Sequence, residues 1–528
     1  MPKTITFNHK RKLLIFLIIV TIIAALIRFH ELSYRQYWMI DEERDAFIVK
    51  KILIDKHPTL IGGALPGGFY LAPGYFYISA IFYYLSDLNP IGLGRVAAII
   101  SVISIPILFI ITRAMFNSKV AVLAALFYTF SYLTVIYNRT WWPLTFSPLV
   151  SIISYFSLFQ IVRTKNLKWF IPLTLALIVG VQSDPSNFSI LLTSIIVILF
   201  FRIPLKNFSV ALAIFLFIVS HIPLLIFDLR HDFLNSKAIL RFFSGQSGSG
   251  INFDPHILWD TLLLLPRNAV RFFWVFGDKD VAYQIHPSDV FINAKYSAIP
   301  GYMLFVAAAI LLIFLISSFR VSKKNPAAFI ISLHILISIL GISLHNFFFG
   351  SWTYEWILQI LFPAYAIGFS VIILNLVKRF KILSYPFVLI VIIYLVFSWK
   401  TIITSPNSYN LQDKLNAVRF AASKLNNEDF SLDSIGKNFS WGGYRYLFYA
   451  VGHEPVKSYT DPAFADWLYP KSSAQQPDKV VVIVNHENLN DQKFNNQYQQ
   501  YLAKTYQKEK FGRIEVLIVD NSDKWIKW

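Results

Sequence analysis

The sequence contains no cysteine, which excludes disulfides and thiolate metal sites and leaves any exported part to hold together by its core alone. Charged residues are scarce as well, at 15% of the chain against 55% hydrophobic and 17% aromatic. With a mean hydropathy of +0.53, this composition cannot be accommodated in a soluble domain of 528 residues. The apolar residues must face lipid. No repeat of fixed period is present, and no low-complexity segment beyond Gly245-Gln246-Ser247-Gly248-Ser249-Gly250, which reads as a mobile loop.

The apolar residues come in discrete runs of about 17 to 25, the length that crosses about 30 Å of hydrocarbon at 1.5 Å per residue. Eleven runs stand out, at approximately 12–29, 91–112, 119–137, 143–162, 168–182, 186–203, 207–227, 299–319, 326–344, 354–377 and 382–402. The first follows Lys10-Arg11-Lys12 and is followed by Arg28-Phe29-His30-Glu31, without the small residues of a signal-peptidase site, so it reads as a retained helix. Six short connections carry Lys and Arg with no acidic residue: Lys3 to Lys12, Arg113 to Lys119, Arg163 to Lys168, Arg202 to Lys206, Arg320 to Lys324 and Lys378 to Lys381. Together they hold nearly the whole formal net charge of +18. They fall on alternate connections, as cytoplasmic segments should, only if 73–86 does not span. That segment is short, rich in Tyr and broken by Pro73-Gly74, and reads as an interfacial or re-entrant helix. The positive charge then lines a membrane face and does not call for a nucleic-acid partner.

Two long external connections remain, about 30–90 and 228–298, with a separate segment from 405 onward. That segment mixes a helix-like stretch at 411–425, strand-like 480–484, a polar helix near 492–506 and a strand at 514–519, an α/β pattern without a nucleotide or metal motif. Its plain reading is a lid or docking module for the membrane part.

Candidate chemistry lies in the external connections. Directly after the first run comes Tyr37-Trp38-Met39-Ile40-Asp41-Glu42-Glu43-Arg44-Asp45-Ala46. On a helix Asp41, Arg44 and Asp45 share one face; a carboxylate beside an arginine stays ionised and can act as a general base, or it can be a solvated helix cap. Gly62-Gly63 to Tyr70 and Ala72-Pro73-Gly74-Tyr75 follow, where glycines let backbone approach a ligand and Tyr70 and Tyr75 offer flat faces to a sugar or lipid head. Arg139, in Asn138-Arg139-Thr140-Trp141-Trp142-Pro143, stands on the external side against the charge bias and calls for an anion, either Asp41, Asp45 or a phosphate. Gln182 and Asp184, Arg230 and His231 after the seventh run, and Arg267 and Arg271, one helical turn apart, complete the set. His231 and His345 are isolated, with no second histidine at ligand spacing, so a metal site has no support from spacing.

The order of these features resembles the GT-C membrane glycosyltransferases, on the branch of the protein O-mannosyltransferases, the lipid A aminoarabinose transferases and their bacterial relatives. Asp41 to Ala46, Leu60 to Gly63, Pro73 to Tyr77, Asn138 to Pro143 and Phe227 to His231 are similar to that branch's motifs and occur in the same order, over about 12–275. Gly62-Gly63 and Gln182-Ser183-Asp184 depart from it, where the relatives have Gly-Pro and Gln-x-His, which puts a role for Asp184 in doubt. The resemblance implies a GT-C-like, all-α polytopic domain over 1–404 with about eleven transmembrane helices, and a C-terminal extracytoplasmic α/β domain over 405–528. It implies transfer of a sugar from a polyprenyl-phosphate donor to a hydroxyl acceptor, with inversion, at the outer face of a bacterial cytoplasmic membrane. Asp41 is then the base, supported by Glu42, Arg44, Asp45, Tyr70 and Tyr75. Arg139, Arg230, Arg267 and Arg271 are candidates for the donor phosphate, and Trp142, Gln182, Asp184 and His231 for the sugar or acceptor cavity. No cofactor is required, because arginine can neutralise a lipid phosphate, although the oligosaccharyltransferase branch uses a divalent metal. A flippase of lipid-linked sugars and a non-catalytic envelope scaffold are the competing readings; the first calls for ionisable residues at mid-membrane, the second for dispensable first-loop carboxylates.

Overall fold

In hydrocarbon every backbone N–H and C=O needs a partner within the chain, and a helix supplies it inside one segment. The computed structural model turns all eleven apolar runs into helices, and it describes residues 7–65, 67–244, 255–273, 300–349, 355–404, 410–436, 442–458 and 477–526. The Gly245–Gly250 stretch and the latter part of the second long connection lie outside the described residues.

In chain order the helices are α1 (Phe7–Phe29); α2 (Ile40–Leu53) and α3 (Gly74–Leu85) in the first long connection; α4 (Pro90–Met115), α5 (Ser118–Phe130), α6 (Tyr132–Tyr137), α7 (Ser147–Thr164), α8 (Phe170–Ser183), α9 (Phe188–Phe200) and α10 (Phe208–Arg230). There follow α11 (Leu234–Phe243) and α12 (Pro255–Phe273) in the second, then α13 (Gly301–Arg320), α14 (Pro326–Phe349), α15 (Phe362–Arg379) and α16 (Ser384–Thr404). Among the described residues, eight stretches, built on α1, α4, α7, α10, α13, α14, α15 and α16, are long and apolar enough to cross a membrane, while α5, α8 and α9 are apolar but shorter. The run at 119–137 is not one helix: Ser131 is extended (φ −63°, ψ 115°) and its hydroxyl accepts from the Thr134 N–H at 3.3 Å, ending α5 and starting α6. At 12 residues α3 is about 18 Å long, too short to span. Between α2 and α3 a small antiparallel hairpin pairs β1 (Ala64–Leu65) with β2 (Phe69–Tyr70).

Three buried arginines tie helix ends together. Arg139 donates to the Ile27 carbonyl of α1 at 2.6 Å, Arg28 to the Thr129 carbonyl of α5 at 3.4 Å, and Arg35 to the Ile402 and Ile403 carbonyls of α16 at 3.1 and 2.6 Å. Each carbonyl lies in a last turn, where C=O groups lack helical partners and the dipole is negative. The C-termini of α1, α5 and α16 therefore meet on one face of the bundle. Of the anions open to Arg139, a first-loop carboxylate or a phosphate, the carboxylate is not the partner: its Nη2 meets the end of α1, and Asp41 and Asp45 both pair with Arg44.

Beyond residue 410, α17 (Leu411–Leu425), α18 (Tyr444–Ala450) and α19 (Gln492–Ala503) flank a five-stranded sheet, β3 (Phe430–Ile435), β4 (Lys457–Ser458), β5 (Lys479–Asn485), β6 (Thr505–Phe511) and β7 (Ile514–Asp520), in the order β4-β3-β5-β7-β6. β3 runs parallel to β4 and β5, and β7 antiparallel to β5 and β6. Strand alternation sends Val480, Val482 and Val484 toward α19, and Val481 and Ile483 toward α17. The expected helix at 492–506 stops at Ala503, because Thr505 begins the polar edge strand β6. The α17 face belongs to the same apolar cluster as the first long connection: Trp38, Phe47, Tyr75 and Tyr83 pack with Leu415, Tyr446 and Phe448.

Candidate active site

α2 opens with three acidic residues in its first turn, where the positive end of the helix dipole favours them. The structure then sorts its four carboxylates. Glu42 is buried and accepts from the Met39 N–H at 2.9 Å, closing the helix start. Glu43 is fully buried and accepts from the Tyr446 N–H at 2.7 Å. Asp45 is buried and accepts from Arg44 Nη2 at 2.7 Å and Nε at 3.0 Å. Asp41 alone among the four stays open, its side chain 63% exposed, and accepts from Arg44 Nη1 at 2.7 Å. Arg44 thus bridges Asp41 and Asp45. Burial raises Glu42 to about 7, with Asp41 next to it adding to the rise, and burial raises Asp45 against the pull of Arg44.

Tyr75 is buried beside Asp45, and burial pushes its hydroxyl well above the usual range. One residue earlier, the Gly74 N–H donates to Gln182 Oε1 at 2.9 Å, while Gln182 Nε2 donates to the Ser220 carbonyl at 3.1 Å. Gln182 therefore belongs with the first-loop group as an anchor for the start of α3. Asp184 instead caps the next turn, accepting from the Ser186 N–H at 2.8 Å, with its carboxyl raised by burial.

The Trp141-Trp142 pair joins this group to a second one. Trp141 stacks on Tyr75 at 6.4 Å and its indole donates to Ser79 at 3.0 Å. Trp142 stacks on Tyr137 at 5.5 Å and lies 5.6 Å from Trp356. The Tyr137 hydroxyl donates to Glu355 at 3.1 Å, and Glu355 forms a buried ion pair with Arg271. Tyr37, four residues before Asp41, sits where both Arg271 and Arg139 act on its hydroxyl, although burial outweighs them and raises it. A run of aromatic contacts, Tyr137 on Trp142 and Trp141 on Tyr75, thus leads from the Arg271–Glu355 pair to the residues around Asp45. Beside Arg271, its neighbours Ala269, Val270 and Phe273 line an apolar cavity of about 140 Å³ bordered by α13, α14 and α15.

Arg230 and His231 are exposed at the end of α10, with His231 stacked on Phe227 at 4.2 Å. Tyr70 is half-buried; its N–H donates to Asn235 Oδ1 at 2.6 Å, and the Asn235 N–H donates to the buried Asp228 at 2.7 Å, so this corner fastens the hairpin to α11. Arg267 is half-buried on α12, a turn before Arg271. Among the described residues no group of three or more His, Asp or Glu side chains gathers that could hold a metal ion. Sequence reasoning missed Glu355, whose signal was an acidic residue opening an apolar run. It also missed Glu43, Lys414 and His334, the last buried in α14 with its ring nitrogens 2.5 Å from the Tyr155 hydroxyl and 2.9 Å from the Ser189 hydroxyl.

Residues 70–227, which include Tyr75, Trp141, Trp142 and Gln182, match the sequence model of the family described as dolichyl-phosphate-mannose-protein mannosyltransferase. Over these residues, less than a third of the chain, the protein resembles the protein O-mannosyltransferases. Among solved structures it is similar to ArnT from Cupriavidus metallidurans bound to undecaprenyl phosphate, at 12% identity and a TM-score of 0.47, covering 95% of this chain and 97% of that one. It is also similar to the Archaeoglobus fulgidus oligosaccharyltransferase in its apo form, at 13% identity and a TM-score of 0.49, covering 90% of this chain and 70% of that one. Comparison with curated proteins finds no match.

Proposed function

We propose that the protein transfers a sugar from a polyprenyl-phosphate-linked donor to a hydroxyl acceptor, with inversion at the anomeric carbon, on the outer face of a bacterial cytoplasmic membrane. The observation that carries this reading is the sorting of the α2 carboxylates, three buried and engaged and Asp41 open beside Arg44. A base that must reach an incoming hydroxyl needs that openness. The donor class is supported by the family match, whose description contains a polyprenyl-phosphate sugar. The outer face is supported by the basic residues of alternate connections, which leave α2 on the other side.

In the proposed step the acceptor oxygen attacks the anomeric carbon as Asp41 takes its proton. The bond from that carbon to the phosphate oxygen breaks, and its electron pair leaves with the polyprenyl phosphate. Positive charge must meet that phosphate on the side away from the base. Arg271 is the best placed of the four candidate arginines, because the apolar cavity beside it has room for a short stretch of prenyl chain. Arg139 is held by the end of α1 and Arg230 stands on the exposed end of α10, while Arg271 would exchange Glu355 for the phosphate. An arginine serves this step without a metal, so transfer should persist in chelator.

The test is incubation of the purified protein with a library of polyprenyl-phosphate sugars and hydroxyl acceptors. Release of polyprenyl phosphate matched by a glycoside of inverted configuration is the expected result. Movement of the donor across vesicles without cleavage would replace this reading with the transporter.

A further inference from the structure

The C-terminal segment holds α2 from both sides of Asp41. On one side, Lys414 of α17 is fully buried, and its ammonium donates to the Trp38 carbonyl at 2.6 Å and the Gly442 carbonyl at 2.8 Å while lying 4.9 Å from the Tyr444 ring. The Trp38 indole donates to the Gly443 carbonyl at 2.7 Å. The approach is so close that a side-chain carbon at Gly442 would stand 2.9 Å from Ile40, and one at Gly443, itself at φ +90°, 2.9 Å from Trp38. On the other side, Glu43 takes the Tyr446 N–H at the start of α18. The Tyr446 ring then packs edge-on against Phe47 at 5.2 Å, and its hydroxyl donates to the Leu88 carbonyl at 3.0 Å. Upstream, Leu411 N–H donates to the Gln36 carbonyl at 3.0 Å.

We propose that the C-terminal segment sets the position of the catalytic base: Glu43 and Lys414 are positioning residues that fix the start of α2, and with it Asp41, through the backbone of residues 38, 442 and 446. This rests on Asp41 acting as base in the proposed transfer. A buried ammonium and a buried carboxylate are costly to desolvate, and each here meets its partner atoms directly, as a fixed joint requires and a docking lid does not. Residues 38 and 43 bracket residue 41, so motion at either joint moves the carboxylate. A misplacement of about 1 Å at a reacting group can cost roughly 100-fold in rate.

The full-length protein would be compared with Glu43→Ala, Glu43→Gln, Lys414→Met and Lys414→Arg by steady-state transfer and by hydrogen exchange of the α2 amides. Glu43→Ala and Lys414→Met should lower kcat roughly 10- to 100-fold, leave the donor KM within about twofold of wild type, and speed exchange over residues 40–47. Glu43→Gln keeps an oxygen to accept the Tyr446 N–H and should recover most of kcat; Lys414→Arg keeps the charge but not the fit, and should recover less. Unchanged kcat and exchange in Glu43→Ala and Lys414→Met, or a Glu43→Gln variant as slow as Glu43→Ala, would overturn the proposal. The exchange measurement needs no substrate: faster α2 exchange in variants of a protein that transfers no sugar would uphold the joint and remove the reaction.

Discussion

Glu42 is buried at the start of α2, and its carboxyl rises from 4.5 to about 7 through burial and then through Asp41. The folded chain keeps this proton up to about pH 7, while the unfolded chain loses it near 4.5. The contribution to stability is therefore full below pH 4.5 and is lost as pH rises toward 7. Glu42→Gln should flatten that part of the stability profile, measured as the thermal midpoint in detergent between pH 5 and about 8. At this scale the residue types were legible and their company was not. Asp41, Arg44 and Asp45 could be grouped by helical spacing, because i, i+3 and i, i+4 contacts are local. Arg139 could not be assigned, since the carbonyl that holds it belongs to Ile27, and nothing in the sequence brings residue 27 to residue 139.

Among elements, the most direct tests concern how α3 and α12 are held. Gly74 has no room for a methyl group, because a Cβ there would lie 2.3 Å from Gln182 Oε1. Gly74→Ala should therefore displace Gln182 and cost about 1–3 kcal/mol, read from thermal unfolding. Arg271→Met breaks the buried ion pair with Glu355 and should cost about 3–5 kcal/mol, whereas Arg271→Met with Glu355→Met should recover much of that stability. If Arg271 meets the donor phosphate, the double variant stays inactive although stable. The long apolar runs gave their helices readily, and 411–425 was legible from its amphipathic pattern as α17. The break at Ser131 and the polar strand β6 were not, because one serine in an apolar run is a weak signal and β6 has no apolar face to display.

For the whole molecule, the absence of cysteine makes topology directly measurable. Single cysteines at exposed Asn166, between α7 and α8, and exposed Ser423, on α17, should react oppositely with a membrane-impermeant maleimide in intact cells. Ser423→Cys is expected to label and Asn166→Cys to label only after lysis; the reverse would invert the proposed orientation. The apportioning of lysine and arginine to alternate connections is the signal behind the proposed orientation, since that bias acts on whole segments. Where on the membrane part the C-terminal segment packs was not readable, because Trp38, Phe47, Leu415 and Tyr446 are each ordinary apolar residues until the chain folds them into one cluster.

The most direct measurement is sugar transfer by Asp41→Asn beside wild type, with the thermal midpoint and polyprenyl-phosphate binding followed in both. Loss of turnover by about 10²- to 10⁴-fold, with fold and lipid binding intact, is the predicted result for a general base. Equal turnover in the two proteins would contradict it and take Asp41 out of the mechanism.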